Sequence, residues 1–397
     1  MLRKYLHSIS VILICCILLT GCWDARGLDE LALVMAVGID KSVDSDKFVV
    51  TVQIAKPQSQ DKSNPSSDEP VWTASAEGKT LFEAIRNIAK FSSRRVMWAH
   101  NRIIVIGESM AKDDITPIID FFTHNPELRM KTWVAVCNGK AREYVSTKTG
   151  MEAYPALSAS ELFNYYELSA QSVRTSMDIL FRDFQSETVQ PFVSALYLEP
   201  LLIKQNEGQK EKGENQVVLE GGAVFLRTKM LGFTTPEQTR GLGIVRRNIS
   251  SAVLSVPTDE EEEEYVAVEL NSIKVNMDSK MQGDLPSVII DVSCSGQIVE
   301  QDFSTDLSMD AFKKQVEDKT AEILTGNIQD GIEAVQKEYK SDVLSIGRLI
   351  HINHRDLWYS KYKSNWEKIY PNIPITVNTT VKIEYSSTYQ IPMNNED

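Results

Sequence analysis

The chain has 397 residues, 42% of them apolar and 24% charged, and a net charge of −13. This is an ordinary globular composition with enough apolar residues for a sizeable core, and its length accommodates about two or three domains of ~150 residues. The acidic balance argues against nucleic acid, which needs a basic patch to displace counterions, and against a protein lying flat on anionic lipid.

The first element is a leader. Arg3 and Lys4 precede an apolar block that is densest at VILICCILL, Val11 to Leu19. A basic start, a short apolar run and a small-residue exit describe a secretory signal over residues 1–21. A membrane-spanning helix needs ~20 predominantly apolar residues, and this block is shorter. Leu19-Thr20-Gly21-Cys22 follows directly. Bacterial lipoprotein processing uses this order: small residues at the cut, then an acceptor thiol. Cleavage is expected between Gly21 and Cys22, with the lipid on the Cys22 sulfur. An uncleaved anchor and an ordinary core helix are the alternatives. Each buried methylene contributes ~0.8 kcal/mol and one acyl chain anchors only marginally, so the two or three chains on such a cysteine hold firmly. No second apolar run long enough to span a bilayer follows.

LALVMAVGID and FVVTVQIA, separated by the polar KSVDSDK, read as a β-hairpin. KPQSQDKSNPSSDEP (56–70) is a surface loop by composition. VWTASAEG reads as a strand, and TLFEAIRNIAKF as a helix with Thr80 and Glu83 at the spacing of a capping box. Leu81, Ala84, Ile85, Ile88 and Ala89 fall on one face of that helix. NRIIVIGE (strand), DDITPIIDFF (helix) and TWVAVCN (strand) continue the alternation, and residues 160–185 read as mainly helical. Cys137 and Cys294 both sit in strand-like runs, where free cysteine behaves as a small buried hydrophobe. A disulfide between them stays open.

IKQNEGQKEKGENQ (203–216) has almost no apolar residues and is either an interdomain linker or a long hairpin loop. The linker is the preferred reading. The expected organisation is therefore a signal at 1–21, an N-terminal domain at 22–200, a polar linker at 201–216 and a C-terminal domain at 217–397. Beyond the linker, GGAVFL, YVAVEL, SIKVNM, SVIIDVSCSG and ITVNTTVKIEY alternate apolar and polar positions as short strands. Phe312, Val316, Ile323, Ile328, Ile332, Val335 and Tyr339 form an amphipathic helical stripe. A second helix carries Trp358, Tyr362, Trp366 and Ile369 at intervals of four, four and three, read as core packing. The expected fold class is α+β and multi-domain. A mixed α/β N-terminal part precedes a β-rich sheet domain with long helices packed on one face.

Chemistry is sparse. The sequence carries no G-x-S-x-G elbow, H-E-x-x-H, C-x-x-C or glycine-rich phosphate loop. GLG at 241–243 lacks a third glycine and a preceding strand, so it reads as a turn. His351 and His354 sit three apart as metal ligands on a helix would, yet no third ligand has a compelling position. The run from Asp259 to Glu264 lacks the glycine and spacing of a calcium loop and reads as solvated. His100 and His124 have no evident catalytic partner. The expectation is a protein without catalytic residues, cofactor or metal.

GCWDARGLDELALVMAVGIDK resembles the mature start of the Ger(x)C family, the lipoprotein C subunits of bacterial spore germinant receptors. AHNRIIVIGESMAK, HNPELRMKTWVAVCNGKARE, LEGGAVFLRTKMLGFTTPEQTRGL and the ending SDVLSIGRLIHINHRDLWYSKYKSNWEKIYPNIPITVNTTVKIE agree with that family in order. The family usually has arginine where His124 stands and a glycine shortly after the final VKIE, here YSSTYQ. The resemblance implies a multi-domain α+β fold. It also implies a non-enzymatic subunit on the outer face of the inner spore membrane, held by Cys22 and acting with membrane A and B subunits. Any small-molecule ligand of its own is left unspecified. The competing class is a solute-binding lipoprotein of an ABC transporter, which predicts two similar doubly wound lobes around a cleft.

Overall fold

The computed structural model describes residues 30–56, 70–200, 215–259, 264–283, 285–301 and 310–384, with Arg3 and Tyr5. The rest of the leader, Cys22, most of the 56–70 loop, most of the 203–216 stretch, Glu260–Glu263 and the YSSTYQ segment lie outside the described residues.

The first sheet begins with the expected hairpin. β1 (Leu31–Lys41) pairs antiparallel with β2 (Phe48–Ala55), which pairs with β3 (Val71–Gly78). On its other edge β1 runs parallel to two strands in succession. Leu31–Leu33 meet β4 (Arg95–Met97), and Ala36–Ile39 meet β5 (Ile103–Gly107). β6 (Trp133–Cys137) and β7 (Phe192–Pro200) continue the parallel core. β8 (Asn215–Leu226) and β9 (Lys229–Thr234) close the far side antiparallel.

Strand alternation explains why these runs read as continuously apolar. Ile104, Ile106, Val134 and Val136 face one cluster, while Ile103, Val105, Ala135 and Cys137 face another. A central parallel strand needs apolar residues on both sides because helices cover both faces. The first face carries α1 (Leu81–Ile88), α2 (Glu108–Asp113), α3 (Thr116–His124) and α6 (Met177–Gln185). The second carries α4 (Ala141–Ser146) and much of α5 (Pro155–Ser169).

At the start of α1 the Thr80 hydroxyl accepts from the Glu83 N–H at 3.1 Å. The Glu83 carboxylate reaches back to the Lys79 N–H at 2.7 Å, one residue before the cap. The Thr80–Glu83 pair therefore caps the helix with its return bond displaced by one residue.

The linker reading is corrected. β7 and β8 are hydrogen-bonded partners, with Pro200 opposite Asn215 and Glu199 opposite Gln216. The polar stretch joins two neighbours of one sheet, as the hairpin alternative held. Hydrophilic composition cannot distinguish a linker from a hairpin connection, because both are surrounded by water.

The second sheet is mixed, in the order β10 (Ala252–Asp259), β11 (Glu264–Gln282), β12 (Leu285–Gln301) and β13 (Ile375–Ile383), with β13 parallel to β12. YVAVEL and SIKVNM, expected as separate strands, are one strand. The register shifts between Leu270 and Ser272, which places Asn271 at a bulge and resets the side-chain alternation. α8 (Asp310–Glu333) packs on this sheet and continues into a wider π-helical turn at Ala334–Glu338. Of the predicted stripe, Phe312, Val316, Ile328 and Ile332 in the helix and Val335 in the turn are buried, with Ile323 and Tyr339 half-buried; Leu324, which the stripe did not include, is buried as well. The aromatic stripe is core as expected, but its backbone is not one helix. α9 (Ile346–Asn353) gives way to short helical turns between Arg355 and Asn372 that bury Trp358, Tyr362, Trp366 and Tyr370. Among the described residues no helix is long and apolar enough to cross a membrane.

The GLG turn is also corrected. β9 does precede it, and both glycines lie inside α7 (Pro236–Val245). Thr235 and Gln238 form a complete capping box there, at 3.2 and 3.0 Å, and Pro236 occupies the first turn. Gly241 survives in mid-helix because α8 crosses it. A Cβ at Gly241 would stand 2.1 Å from the Asn327 carbonyl oxygen, and one at Gly331 would stand 2.8 Å from that of Gln238. Gly241→Ala gains about 1 kcal/mol of helix propensity but forces α7 and α8 apart, an overpacking cost of about 1–3 kcal/mol. Because the obstruction is backbone and not a flexible side chain, overpacking wins. A lower urea midpoint with unchanged slope is expected, and a raised midpoint would contradict the close crossing.

Candidate functional site: an internal junction and an open groove

The two sheets are not independent. Tyr166, Val173, Phe192 and Val224 from the first part share one buried cluster with Leu254, Val268, Val292, Ile328 and Trp366 from the second. At this junction lie polar groups that strand and helix periodicity did not single out: Asp183 on α6, Arg246 just after α7, and Asp342 in the turn before α9. The Arg246 Nη2 donates to Asp183 Oδ2 at 3.1 Å, its Nη1 donates to the Val343 carbonyl, and its guanidinium lies 5.9 Å from the Phe192 ring centre. Burial pulls the Arg246 guanidinium down from its ordinary value, against the opposing pull of Asp183.

Asp342 organises the entry to α9. Ser345, the residue before that helix, is left-handed (φ 64°) and makes no side-chain cap. Orphan N–H groups at a helix start need acceptors. Asp342 supplies them, accepting from Ile346 N at 2.9 Å, Gly347 N at 2.6 Å and Trp366 Nε1 at 3.0 Å. Its backbone carbonyl accepts from Gln190 N at 3.1 Å, so the same residue ties α9 back to the first part of the chain. Gly347 makes room for the indole, since a Cβ there would come within 3.0 Å of Trp366. Burial raises the Asp342 carboxyl to about 6, against the lowering effect of its three N–H donors and Arg246. Arg227 with Glu367 (2.7 Å) and Lys363 with Glu187 (2.7 Å) bridge the same two parts at the surface. The arrangement fastens one part of the chain to the other.

Asp40 plays a comparable part at the end of β1. Its carboxylate accepts from Ala141 N (2.7 Å) and Arg142 N (2.9 Å) and so caps α4, and burial raises its pKa. An aspartate closing an otherwise apolar strand is the sequence signal that marks it.

An open groove of about 570 Å³ runs between α1 and α3 over β4. Ile85, Val96, Trp98 and Phe121 give it an apolar floor, with Trp98 set edge-on to Phe122 at 6.4 Å. Its rim is charged. Arg95 faces Glu127 at 3.6 Å, His124 faces Asp120 at 3.1 Å, and Arg86 lies 4.9 Å over the exposed Phe82 ring.

The histidines singled out from sequence do not converge. His351 stacks on Trp358 and meets Tyr359 edge-on, His354 lies where α9 breaks, His100 is exposed and His124 stands on the groove rim. Among the described residues no group of three metal-ligating side chains occurs. Cys137 and Cys294 are free and buried in different sheets, and burial pushes both thiols up, Cys294 to about 12. That excludes the disulfide left open by the sequence. The second sheet, four strands with helices on one face, is also not the second doubly wound lobe that a solute-binding protein requires.

Comparison with known proteins accounts for both parts. Residues 24–198 match the spore germination protein N-terminal domain, and residues 220–387 match the spore germination B3/GerAC-like C-terminal domain. Spore germination protein KC of Bacillus subtilis (strain 168) is 23% identical over 408 residues, covering 100% of this chain and 99% of that protein. Spore germination protein B3 of the same organism is 22% identical, covering 96% and 98%. Putative spore germination protein YfkR, also from that organism, is 26% identical over 233 residues, which span 58% of each chain. The crystal structure of the GerBC protein superposes with a TM-score of 0.58 at 18% identity over 87% of this chain and 96% of that one, a shared fold. The two matched regions meet inside the β7–β8 hairpin, and with both matched in order the chain belongs to the Ger(x)C family of spore germinant-receptor C subunits.

Proposed function

We propose that this protein is the lipid-anchored C subunit of a nutrient germinant receptor, a non-catalytic scaffold or coupling subunit on the outer face of the inner spore membrane. It acts there with membrane A and B subunits in triggering germination. The end-to-end correspondence with spore germination protein KC carries the reading. The leader and its Leu19-Thr20-Gly21-Cys22 exit supply an attachment point. A coupling subunit has to move as one piece, and the buried junction at Asp183, Arg246 and Asp342 supports that role.

Cys22→Ala tests the anchored arrangement. The variant is expected to fold with the same unfolding midpoint, to appear in the soluble fraction of spore lysates, and to lower nutrient-triggered output. Complete retention with the membrane fraction would contradict a lipid tether as the holding element.

A further inference from the structure

The groove between α1 and α3 lies where the N-terminal chain enters the fold. Leu31, the first residue of β1, pairs with Arg95, and Ala32 pairs with Val96. Arg95 and Val96 are themselves groove residues. The start of β1 at Leu31 therefore sits beside the groove mouth. The segment in question, residues 22–29, reads Cys-Trp-Asp-Ala-Arg-Gly-Leu-Asp and lies outside the described residues.

Its chemistry matches the groove. The floor is apolar and aromatic, suited to an indole and an aliphatic side chain, and Trp23 and Leu28 are the two large apolar residues available. The rim offers Arg86 and Arg95 to Asp24 and Asp29, and Asp120 and Glu127 to Arg26. Length permits it: Leu31 lies eight positions after Trp23, an extended reach of roughly 26 Å at ~3.3 Å per residue. Exit point, apolar content and charge pattern agree on one occupant.

We propose that residues 23–29 of this same chain dock in the α1–α3 groove, with Trp23 on the floor formed by Ile85, Val96, Trp98 and Phe121. Cys22 is then the residue directly before the docked indole. If Cys22 carries the lipid, as the proposed function holds, docking turns the α1–α3 end of the first sheet toward the bilayer. It replaces a loose leash with a short, oriented attachment. The docking itself does not depend on acylation, whereas the orientation does.

The test is photo-crosslinking of the full chain in isolated spore membranes, with Trp23→p-benzoylphenylalanine as an aromatic probe and mass spectrometry to locate the adduct. Adducts within residues 82–98 or 120–127 of the same chain are expected, and Ala89→Trp, on the exposed groove wall, should abolish them. Adducts on another polypeptide, on lipid alone, elsewhere in this chain, or none from a chain with an unchanged circular-dichroism melt would overturn the proposal. Intact mass of the N-terminal peptide reports acylation of Cys22 separately, so a groove adduct on an unacylated chain retains the docking and removes only the orientation.

Discussion

Trp366→Ala is expected to cost about 3–5 kcal/mol, the range for deleting a large aromatic from a packed core. The indole is 8% exposed and stands in a column of aromatic rings, 5.2 Å from Trp358 and 6.0 Å from Tyr370. Its Nε1 is also one of the three donors to Asp342, so the truncation removes packing and a hydrogen bond together. Gly347 leaves no side chain that can move in to fill the space. Urea unfolding monitored by circular dichroism is the measurement. A change under about 1 kcal/mol, well below the range for a large buried aromatic, would place this ring on an exposed surface instead.

Asp342→Ala is expected to be similarly severe, at least about 3 kcal/mol, because each buried donor left without an acceptor costs about 1–3 kcal/mol. Three donors lose their partner in this case: Ile346 N, Gly347 N and Trp366 Nε1. Asp342 and Trp366 share a bond, so the double variant should destabilise less than the sum of the singles. Asp342→Asn keeps the shape and removes the charge, which isolates the pH dependence. The carboxyl is raised from 3.8 to about 6 in the folded protein, so between those values the folded state binds more protons than the unfolded one. Stability contributed by this group therefore falls as pH rises through that window and stays low above it. Wild type should gain on the Asn variant between pH 7 and pH 4. A constant difference across that range would show that the carboxylate is already charged and fully compensated.

Local patterns in the sequence carried as far as local physics reaches. Thr80 before an apolar-faced helix, the both-sides-apolar strands around Ile103–Ile106 and Val134–Cys137, and the long stripe from Phe312 to Val335 are each set by their own neighbours. What escaped was decided by distant partners. Gly241 reads as a turn until Asn327, far along the chain, is seen crossing it. The polar stretch after Pro200 reads as a linker until β8 returns to pair with β7. The fusion of YVAVEL with SIKVNM depends on a bulge that breaks the alternation on which strands are recognised. Asp183, Arg246 and Asp342 carry no spacing relation to one another at all. Their signal was weaker: aspartates and an arginine next to apolar residues, where a charge has to find partners. Cys22, proposed above as the lipid acceptor, is the opposite case, a reading that rests entirely on Leu19-Thr20-Gly21-Cys22 and not on the fold.

The receptor role is tested most directly by germinant-triggered dipicolinate release from spores whose only receptor operon is the one containing this gene. Spores with and without the gene are compared across a nutrient panel and a non-nutrient trigger. Deletion is expected to abolish or strongly reduce release to a nutrient while release to the non-nutrient trigger is unchanged. Equal release with and without the gene, to a nutrient that works, would contradict that role.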